Sequence, residues 1–575
     1  MGTLDEVART VLRERYLRTD ATGAVVETPA ELFERVASNL AQAEGQFGGD
    51  VAETATRFES AMRNLEFLPN SPTLMNAGTP LQQLAACFVL PVEDSLDSIF
   101  TAVKQTALIH QSGGGTGFSF SRLRPEGDVV RETGGVASGP LSFMRVFDAA
   151  TEQIKQGGRR RGANMGVLDA SHPDVRRFVT AKREEGVLRN FNLSVATDAA
   201  FWDAYEAGAS YDLVNPRTGE AVGEASAAEV LDLVAEMAWE TGDPGLLFLD
   251  AVNEANPTPK LGRIEATNPC GEVPLLPYEA CVLGSVNLGE MTAGGELDEQ
   301  KLRETVRLGV RFLDDAIEMS AFPVEDIGEM VRANRKVGLG VMGFHDALVD
   351  LRIPYDSDEA VEAAERIMAV VEDAALAASR DLAAERGPFP NWEDSVYDDP
   401  VRNATRTTVA PTGTISLVAG CSSGIEPIYN VVYEKHVLGG FDIVSDRFVD
   451  IARERGFYSE ALLDRLADRT SIRDVDAVPE DVRDLFQTAH DVPPERHLAV
   501  QAAFQRHTDN AVSKTVNLPH SATVQDVHDV FTLARELGVK GVTVFRSGSR
   551  REQVLGTDPL REECVTECDY VGPRD

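Results

Sequence analysis

Apolar residues return at roughly 3.6-residue spacing through Ala30-Glu-Leu-Phe-Glu-Arg-Val-Ala-Ser-Asn-Leu-Ala-Gln-Ala43, behind Thr28 and Pro29, a cap and first-turn pair. This predicts a helix in an N-terminal helical region, residues 1–60. The pattern then changes. Phe67-Leu-Pro-Asn-Ser-Pro-Thr-Leu-Met-Asn-Ala-Gly-Thr-Pro80 is crowded with turn formers, and Leu84-Ala-Ala-Cys-Phe-Val-Leu-Pro91 reads as a short buried strand. A helix is predicted over Ile99–Ser112, opened by Asp94-Ser-Leu-Asp-Ser98. Strand-like Asn192-Leu-Ser-Val-Ala196 gives way to a helical pattern over Ala227–Thr241, a further helix spans Leu302–Ser320, and the last strand is Val539–Arg546. Alternation of this kind suits an α/β barrel. Beyond it, Ser547 to Asp575 is polar and aperiodic.

Composition narrows the classes. At 575 residues the chain exceeds an ordinary domain, unless it is one large barrel with a helical annex. With no 18-residue apolar run and an acidic start, Met1-Gly-Thr-Leu-Asp-Glu6, it is expected to be cytoplasmic, without a membrane partner. A net charge of −38 argues against nucleic acid, whose phosphates need basic surface. Only 9 of the 55 basic residues are lysine, and an acidic, lysine-poor surface fits a salt-loving host. The six cysteines stand at 87, 270, 281, 421, 564 and 568. They form no zinc-type CxxC pairing, so no metal site is expected and cysteine redox chemistry remains.

The candidate chemistry is concentrated in Thr267-Asn-Pro-Cys-Gly-Glu-Val-Pro-Leu-Leu-Pro-Tyr-Glu-Ala-Cys-Val-Leu-Gly-Ser-Val-Asn-Leu288. Pro269, Pro274 and Pro277 argue against a helix. In an extended segment, Asn268, Cys270 and Glu272 project from one face: a hydrogen-bond donor, a thiol and a base. A buried structural cysteine is the plainer reading, but flanking Asn and Glu would then need buried partners.

This stretch resembles the active-site signature of ribonucleotide reductases. The resemblance covers residues 60 to 570, with five motifs in the expected order, and implies a ten-stranded α/β barrel of two antiparallel five-stranded halves. That barrel spans residues 61–548, behind the helical region and ahead of a mobile redox tail, 549–575. Cys270 is then the thiyl radical carrier that takes the ribose 3′-hydrogen, Glu272 the base for the 3′-hydroxyl, and Asn268 a sugar contact. Cys87 and Cys281 are the reducing dithiol, renewed by the tail pair Cys564 and Cys568, although the tail spacing is CxxxC where many members have CxxC. A thioredoxin-like partner is the external reductant. Ser71 and the turn Pro411-Thr-Gly-Thr-Ile-Ser416, with Pro411, Thr412, Gly413, Thr414 and Ser416, hold the substrate phosphates. From its residues alone that turn is a candidate anion site without the lysine of a P-loop.

By the same resemblance Asp94 binds the deoxyribose of a dNTP effector, and Arg122 and Arg124 hold its triphosphate. The residues themselves also read as an ordinary helix cap. Arg160 belongs to the basic run Lys155-Gln-Gly-Gly-Arg-Arg-Arg-Gly-Ala-Asn164, a loop that reports effector identity or a solvated turn; in so acidic a chain a nucleotide partner is favoured. The effector helix implies a homodimer. Gly338-Leu-Gly-Val-Met-Gly343 spells a dinucleotide fingerprint, but the polar Arg332-Ala-Asn-Arg-Lys336 before it is unsuited to a buried first strand. Cys421 has no redox role in this scheme.

The class of radical source follows from further residues. The chain lacks a Tyr-Tyr dipeptide and a glycyl-radical motif, and Cys281 follows Cys270 by eleven residues. These features resemble the class that uses adenosylcobalamin. The expected activity is reduction of ribonucleotides, diphosphates first and triphosphates left open. The alternatives are an oxygen-dependent large subunit with a radical-generating partner, and a non-catalytic dNTP sensor.

Overall fold

The computed structural model describes residues 4–130, 135–156, 160–435, 441–467, 469–549 and 555–556. The helical layer comes first. Helix Pro29–Leu40 has a full capping box, in which the Thr28 hydroxyl accepts from the Glu31 amide while the Glu31 carboxylate accepts from the Thr28 amide. It packs on helix Val51–Arg63, and Leu32, Phe33, Val36, Phe58 and Met62 are buried between them and the barrel.

Nine strands build the barrel: β1 Cys87–Val89, β2 Gly115–Ser119, β3 Asn164–Asp169, β4 Phe191–Thr197, β5 Gly245–Phe248, β6 Ala280–Asn287, β7 Val337–Met342, β8 Thr515–Leu518 and β9 Gly541–Arg546. Strands β1 to β5 pair in order and in parallel. β5 meets β9 antiparallel, and β9 pairs with β8 in parallel. On the other side β1 meets β6 antiparallel, and β6 pairs with β7 in parallel. Single bridges, Leu339 with Thr407 and Val409 with Val512, join β7 to the β8 side through the 407–409 segment and close the ring. A further short strand, Phe67–Pro69, lies antiparallel to β6.

The eight residues of β6 and the six of β7 are all buried. Parallel strands covered on both faces read as continuous apolar runs. The glycines of Gly338-Leu-Gly-Val-Met-Gly343 serve that packing: a Cβ on Gly340 would stand 2.1 Å from the Thr408 carbonyl oxygen. The polar run before β7 does not stay at the surface. Asn334, Arg335 and Lys336 are buried because distant carboxylates receive them: Arg335 pairs with Asp314 and Glu318, both at 2.8 Å, and Lys336 with Glu279 at 2.6 Å. Asp314 also receives Arg386 at 2.9 Å. Arg386 in turn binds Glu44 at 2.7 Å, which ties the helical layer to the barrel. Among the described residues no helix is long and apolar enough to cross a membrane.

Candidate active site

The Cys270 segment enters the barrel as a hairpin. Ala266–Thr267 pairs antiparallel with Pro274–Leu275, and residues 268–273 form its loop. The extended conformation expected from the prolines is therefore not what aligns the three polar residues. Gly271 has φ +84°, its amide donates to the Asn268 carbonyl at 3.1 Å, and the chain reverses there. Convergence comes from a tight turn. Asn268 closes it, its Oδ1 accepting from the Val273 amide at 2.9 Å and the Thr267 hydroxyl at 3.1 Å.

The barrel wall clamps this loop. Asn192 on β4 donates from Nδ2 to the Pro269 carbonyl at 2.7 Å, and the Glu272 carbonyl accepts from the Thr408 hydroxyl at 2.7 Å and the Ala511 amide at 2.9 Å. β2 comes so close that a Cβ on Gly117 would lie 1.8 Å from the Thr267 carbonyl oxygen. The Gly-rich run before Phe118 thus leaves room for the thiol loop.

Four of the five expected catalytic side chains meet here. Asn268 Nδ2 lies 3.1 Å from Cys87 Sγ, and Cys87 Sγ lies 3.8 Å from Glu272 Oε1. Cys281 stands directly opposite Cys87 in the β1–β6 register. Opposed residues of an antiparallel pair have Cα atoms about 4.5–5.5 Å apart, within the range a disulfide spans. Both are free thiols here. Burial pushes the Cys281 thiol well above its usual range. Glu272 is 2% exposed, and its Oε2 has no hydrogen-bond partner among the described residues. Burial raises its carboxyl to about 7, against smaller opposing effects from Asn268 and Cys87. A carboxylate held there is poised to exchange a proton near neutral pH.

The fifth, Cys270, faces a cavity of about 390 Å³. Its wall includes Asn192, Ser194, Pro411, Ser416 and Cys421, together with Tyr429, Tyr433 and Ile443. Glu426 and Lys514 also line it. The Lys514 ammonium is paired with the Glu426 carboxylate and lies 2.8 Å from His497 Nδ1.

The expected phosphate contacts come from two places. Ser71 starts a short helix, and its hydroxyl is 2.8 Å from the Tyr16 hydroxyl. In the Pro411–Ser416 turn, Thr412 has φ +55° and its hydroxyl accepts from the Gly424 amide at 2.7 Å; Gly413 follows it, Thr414 accepts from Arg15, and Ser416 contacts the Ser423 hydroxyl at 3.0 Å. At the expected effector site, Asp94 and Arg124 bind each other at 2.8 Å, while Arg122 binds Glu265 at 2.9 Å and also Glu93. The cap of helix Leu96–Gln111 is Ser95, not Asp94. Arg160 falls in a two-residue strand opposite Gln156, and Cys564 and Cys568 lie outside the described residues.

Asn192, Glu279, Lys336, Arg15 and Tyr16 were not singled out from the sequence. For Asn192 the signal was present: an amide between Phe191 and Leu193 in a mostly buried strand. Arg15 and Tyr16 meet their partners only through the fold.

The chain is similar to known proteins. The family model for the ribonucleotide reductase all-alpha domain matches residues 3–82, and that for the barrel domain matches 85–401 and 393–545. A vitamin B12-dependent ribonucleoside-diphosphate reductase of Mycobacterium tuberculosis is 52% identical over 580 residues, covering 99% of this chain and 84% of its own. The protein of the same description from Thermoplasma acidophilum is 45% identical, covering 96% and 81%. The alpha subunit of the Actinobacillus ureae class Id ribonucleotide reductase shares the fold, with TM-score 0.79 at 22% identity over 95% of this chain and 97% of that one. A thiol loop inside the barrel, a buried carboxyl beside it and two cysteines in facing register thus coincide with family models that span both layers, and the chain belongs to the ribonucleotide reductase family.

Proposed function

We propose that this chain is an adenosylcobalamin-dependent ribonucleotide reductase acting on ribonucleoside diphosphates. The observation that carries the reading is that Asn268 and Glu272, on the loop that turns Cys270 toward the cavity, both come within hydrogen-bond range of Cys87 on β1. As a thiyl radical, Cys270 removes the 3′-hydrogen of the ribose. Glu272 takes the 3′-hydroxyl proton, Asn268 orients the sugar, and the 2′-hydroxyl leaves as water with a proton from the Cys87/Cys281 pair. That pair supplies two electrons and becomes a disulfide, and Cys270 returns its hydrogen to C3′ and is again a thiyl radical. Tail thiols Cys564 and Cys568 then exchange with the disulfide and pass the electrons from a thioredoxin-like reductant.

The cavity wall fits the cofactor's organic part: Ile428, Tyr429, Tyr433 and Ile443 offer it apolar and aromatic surface, and Glu426 and Lys514 offer polar contacts. When bound, adenosylcobalamin supplies the carbon-centred radical that starts the chemistry. The barrel's part is to keep water and stray reductants from Cys270. Relatives named for vitamin B12 dependence from Mycobacterium tuberculosis and Thermoplasma acidophilum are 45–52% identical and those from Streptomyces 31%, whereas ribonucleoside-diphosphate reductase alpha subunits of Chlamydia are 27–28% identical. At the position expected for a tyrosine pair, the cavity is lined by Thr543, Val544 and Phe545.

Four further assignments complete the reading. Five parallel strands β1–β5, set antiparallel to β6–β9 with the 407–409 segment bridging them, support a barrel of two five-stranded halves. Asp94, Arg122, Arg124 and Arg160 form the effector site, in which a bound nucleotide replaces the Asp94–Arg124 contact. Exposed Leu96 and Phe100, one turn apart on the effector helix, favour a homodimer across that helix. The acidic, arginine-rich composition suits dense salt.

The test is anaerobic deoxynucleotide formation in high salt with dithiothreitol, with and without adenosylcobalamin, for wild type and Cys270→Ala. Product only from the wild type with cofactor is the expected result. Equal product without cofactor, or from Cys270→Ala, would overturn the reading.

A further inference from the structure

The first residues of the chain reach into the phosphate-binding segments. Helix Glu6–Val11 continues into a π-helical turn, Leu12–Tyr16, a rare conformation that gathers at functional sites. From that turn Arg15 Nη1 donates to the Thr414 hydroxyl at 2.8 Å, and the Tyr16 hydroxyl lies 2.8 Å from Ser71 Oγ. Both side chains are buried, Arg15 at 3% exposure and Tyr16 at 1%. Just upstream, Asp5 and Val7 line the cavity that Cys270 faces. One short segment therefore touches the cavity wall, the Pro411–Ser416 turn and the Ser71 helix.

Charge gives the arrangement its meaning. A diphosphate is strongly anionic, yet the Pro411–Ser416 turn offers only amides and hydroxyls. Among the described residues lining the cavity, the cations are Arg447 and Lys514. Each already faces carboxylates: Arg447 lies 3.2 Å from Asp346 and 3.1 Å from Asp350, and Lys514 pairs with Glu426. Arg15 is turned onto the phosphate turn itself. A guanidinium keeps its charge when buried, and its forked donors suit phosphate oxygens.

We propose that the N-terminal segment 4–17 is part of the substrate site, with Arg15 supplying cationic charge to the diphosphate at the Thr412–Ser416 turn and Tyr16 setting the Ser71 hydroxyl toward the same phosphates. The proposal rests on the ribonucleotide reading above and adds to it the residues that distinguish a diphosphate from a shorter phosphate chain.

The experiment compares wild-type holoenzyme with Arg15→Gln, Arg15→Lys and Tyr16→Phe under anaerobic turnover, and measures binding of inorganic pyrophosphate to each protein by calorimetry. Gln retains a donor for Thr414 while removing the charge. In Arg15→Gln the KM for a ribonucleoside diphosphate should rise about tenfold or more, with kcat little changed, because a charge-assisted hydrogen bond is lost. Pyrophosphate binding should weaken by a similar factor, the KM for the matching monophosphate should move less, and Arg15→Lys should recover part of the loss. Tyr16→Phe, which alters one hydroxyl and keeps the packing, should raise the diphosphate KM about threefold or more.

A merely structural role would lower thermal stability and kcat together and leave the diphosphate-to-monophosphate ratio unchanged, which overturns the proposal. So would unaltered pyrophosphate affinity in Arg15→Gln. If Arg15→Gln does not fold, an unchanged diphosphate KM in Tyr16→Phe overturns it. A wild type that binds pyrophosphate in an Arg15-dependent way, yet reduces no ribonucleotide, would sink the catalytic reading and leave the anion site standing.

Discussion

Glu272→Gln is expected to stabilise the protein at alkaline pH while removing its activity. In the fold the Glu272 carboxyl sits at about 7 against an ordinary 4.5, because burial disfavours its charge. A carboxyl raised in the folded state favours folding in its protonated form. That contribution is fully present below about pH 4.5 and is lost as pH rises through 7. Above that point the buried charge costs about 3 kcal/mol. Gln is nearly isosteric and carries no charge. Its amide nitrogen falls where Oε2 has no partner, a cost of about 1 kcal/mol that does not vary with pH. Urea unfolding of both proteins across pH 5 to 8 isolates the charge. Between those limits the wild type should lose about 2–3 kcal/mol relative to Glu272→Gln. Wild-type kcat should rise over the same interval, about tenfold from pH 6 to 8, as the base form fills in. Parallel stability curves for the two proteins would refute the argument, because they would mean that Glu272 is ionised throughout.

Other perturbations test other parts. Gly117→Ala places a methyl group against the Thr267 carbonyl and should cost about 1–3 kcal/mol, with a larger proportional fall in turnover than in melting temperature; wild-type kinetics would mean that the loop is free to shift. Lys336→Met strands the Glu279 carboxylate, which should lower unfolding free energy by about 3–5 kcal/mol, measured by denaturant titration, and Glu279→Gln in the same chain should recover part of it. Asp94→Ala releases Arg124 and should abolish effector-dependent choice of base while sparing basal turnover, as read from product ratios with different dNTPs. Equal loss for all substrates would argue that Asp94 only holds the helix start.

Why the thiol loop is legible and its shape is not follows from the kinds of information involved. Asn268, Cys270 and Glu272 stand out as polar groups between prolines in an apolar stretch, so their chemistry can be read locally. Their conformation depends on Gly271 adopting a positive φ, which alternation rules do not see. The helices Pro29–Leu40 and Ala227–Thr241 are legible for the opposite reason, since caps and 3.6-residue spacing are local properties. Arg335 and Lys336 look like surface residues until Asp314 and Glu279 are placed beside them by the packing of other elements. The facing register of Cys87 and Cys281 likewise belongs to strand pairing across almost two hundred residues.

The contact between Arg15 and Thr414 joins positions 399 residues apart. At ribosomal speeds of ~5–20 residues per second, Arg15 emerges roughly 20–80 s before its partner exists. Throughout that interval a guanidinium and a phenol destined for the interior must remain in water. The cavity that Cys270 faces is therefore completed late. A nascent chain stalled before residue 414 would carry the whole Cys270 loop and still lack the contact that the N-terminal segment makes with the Pro411–Ser416 turn.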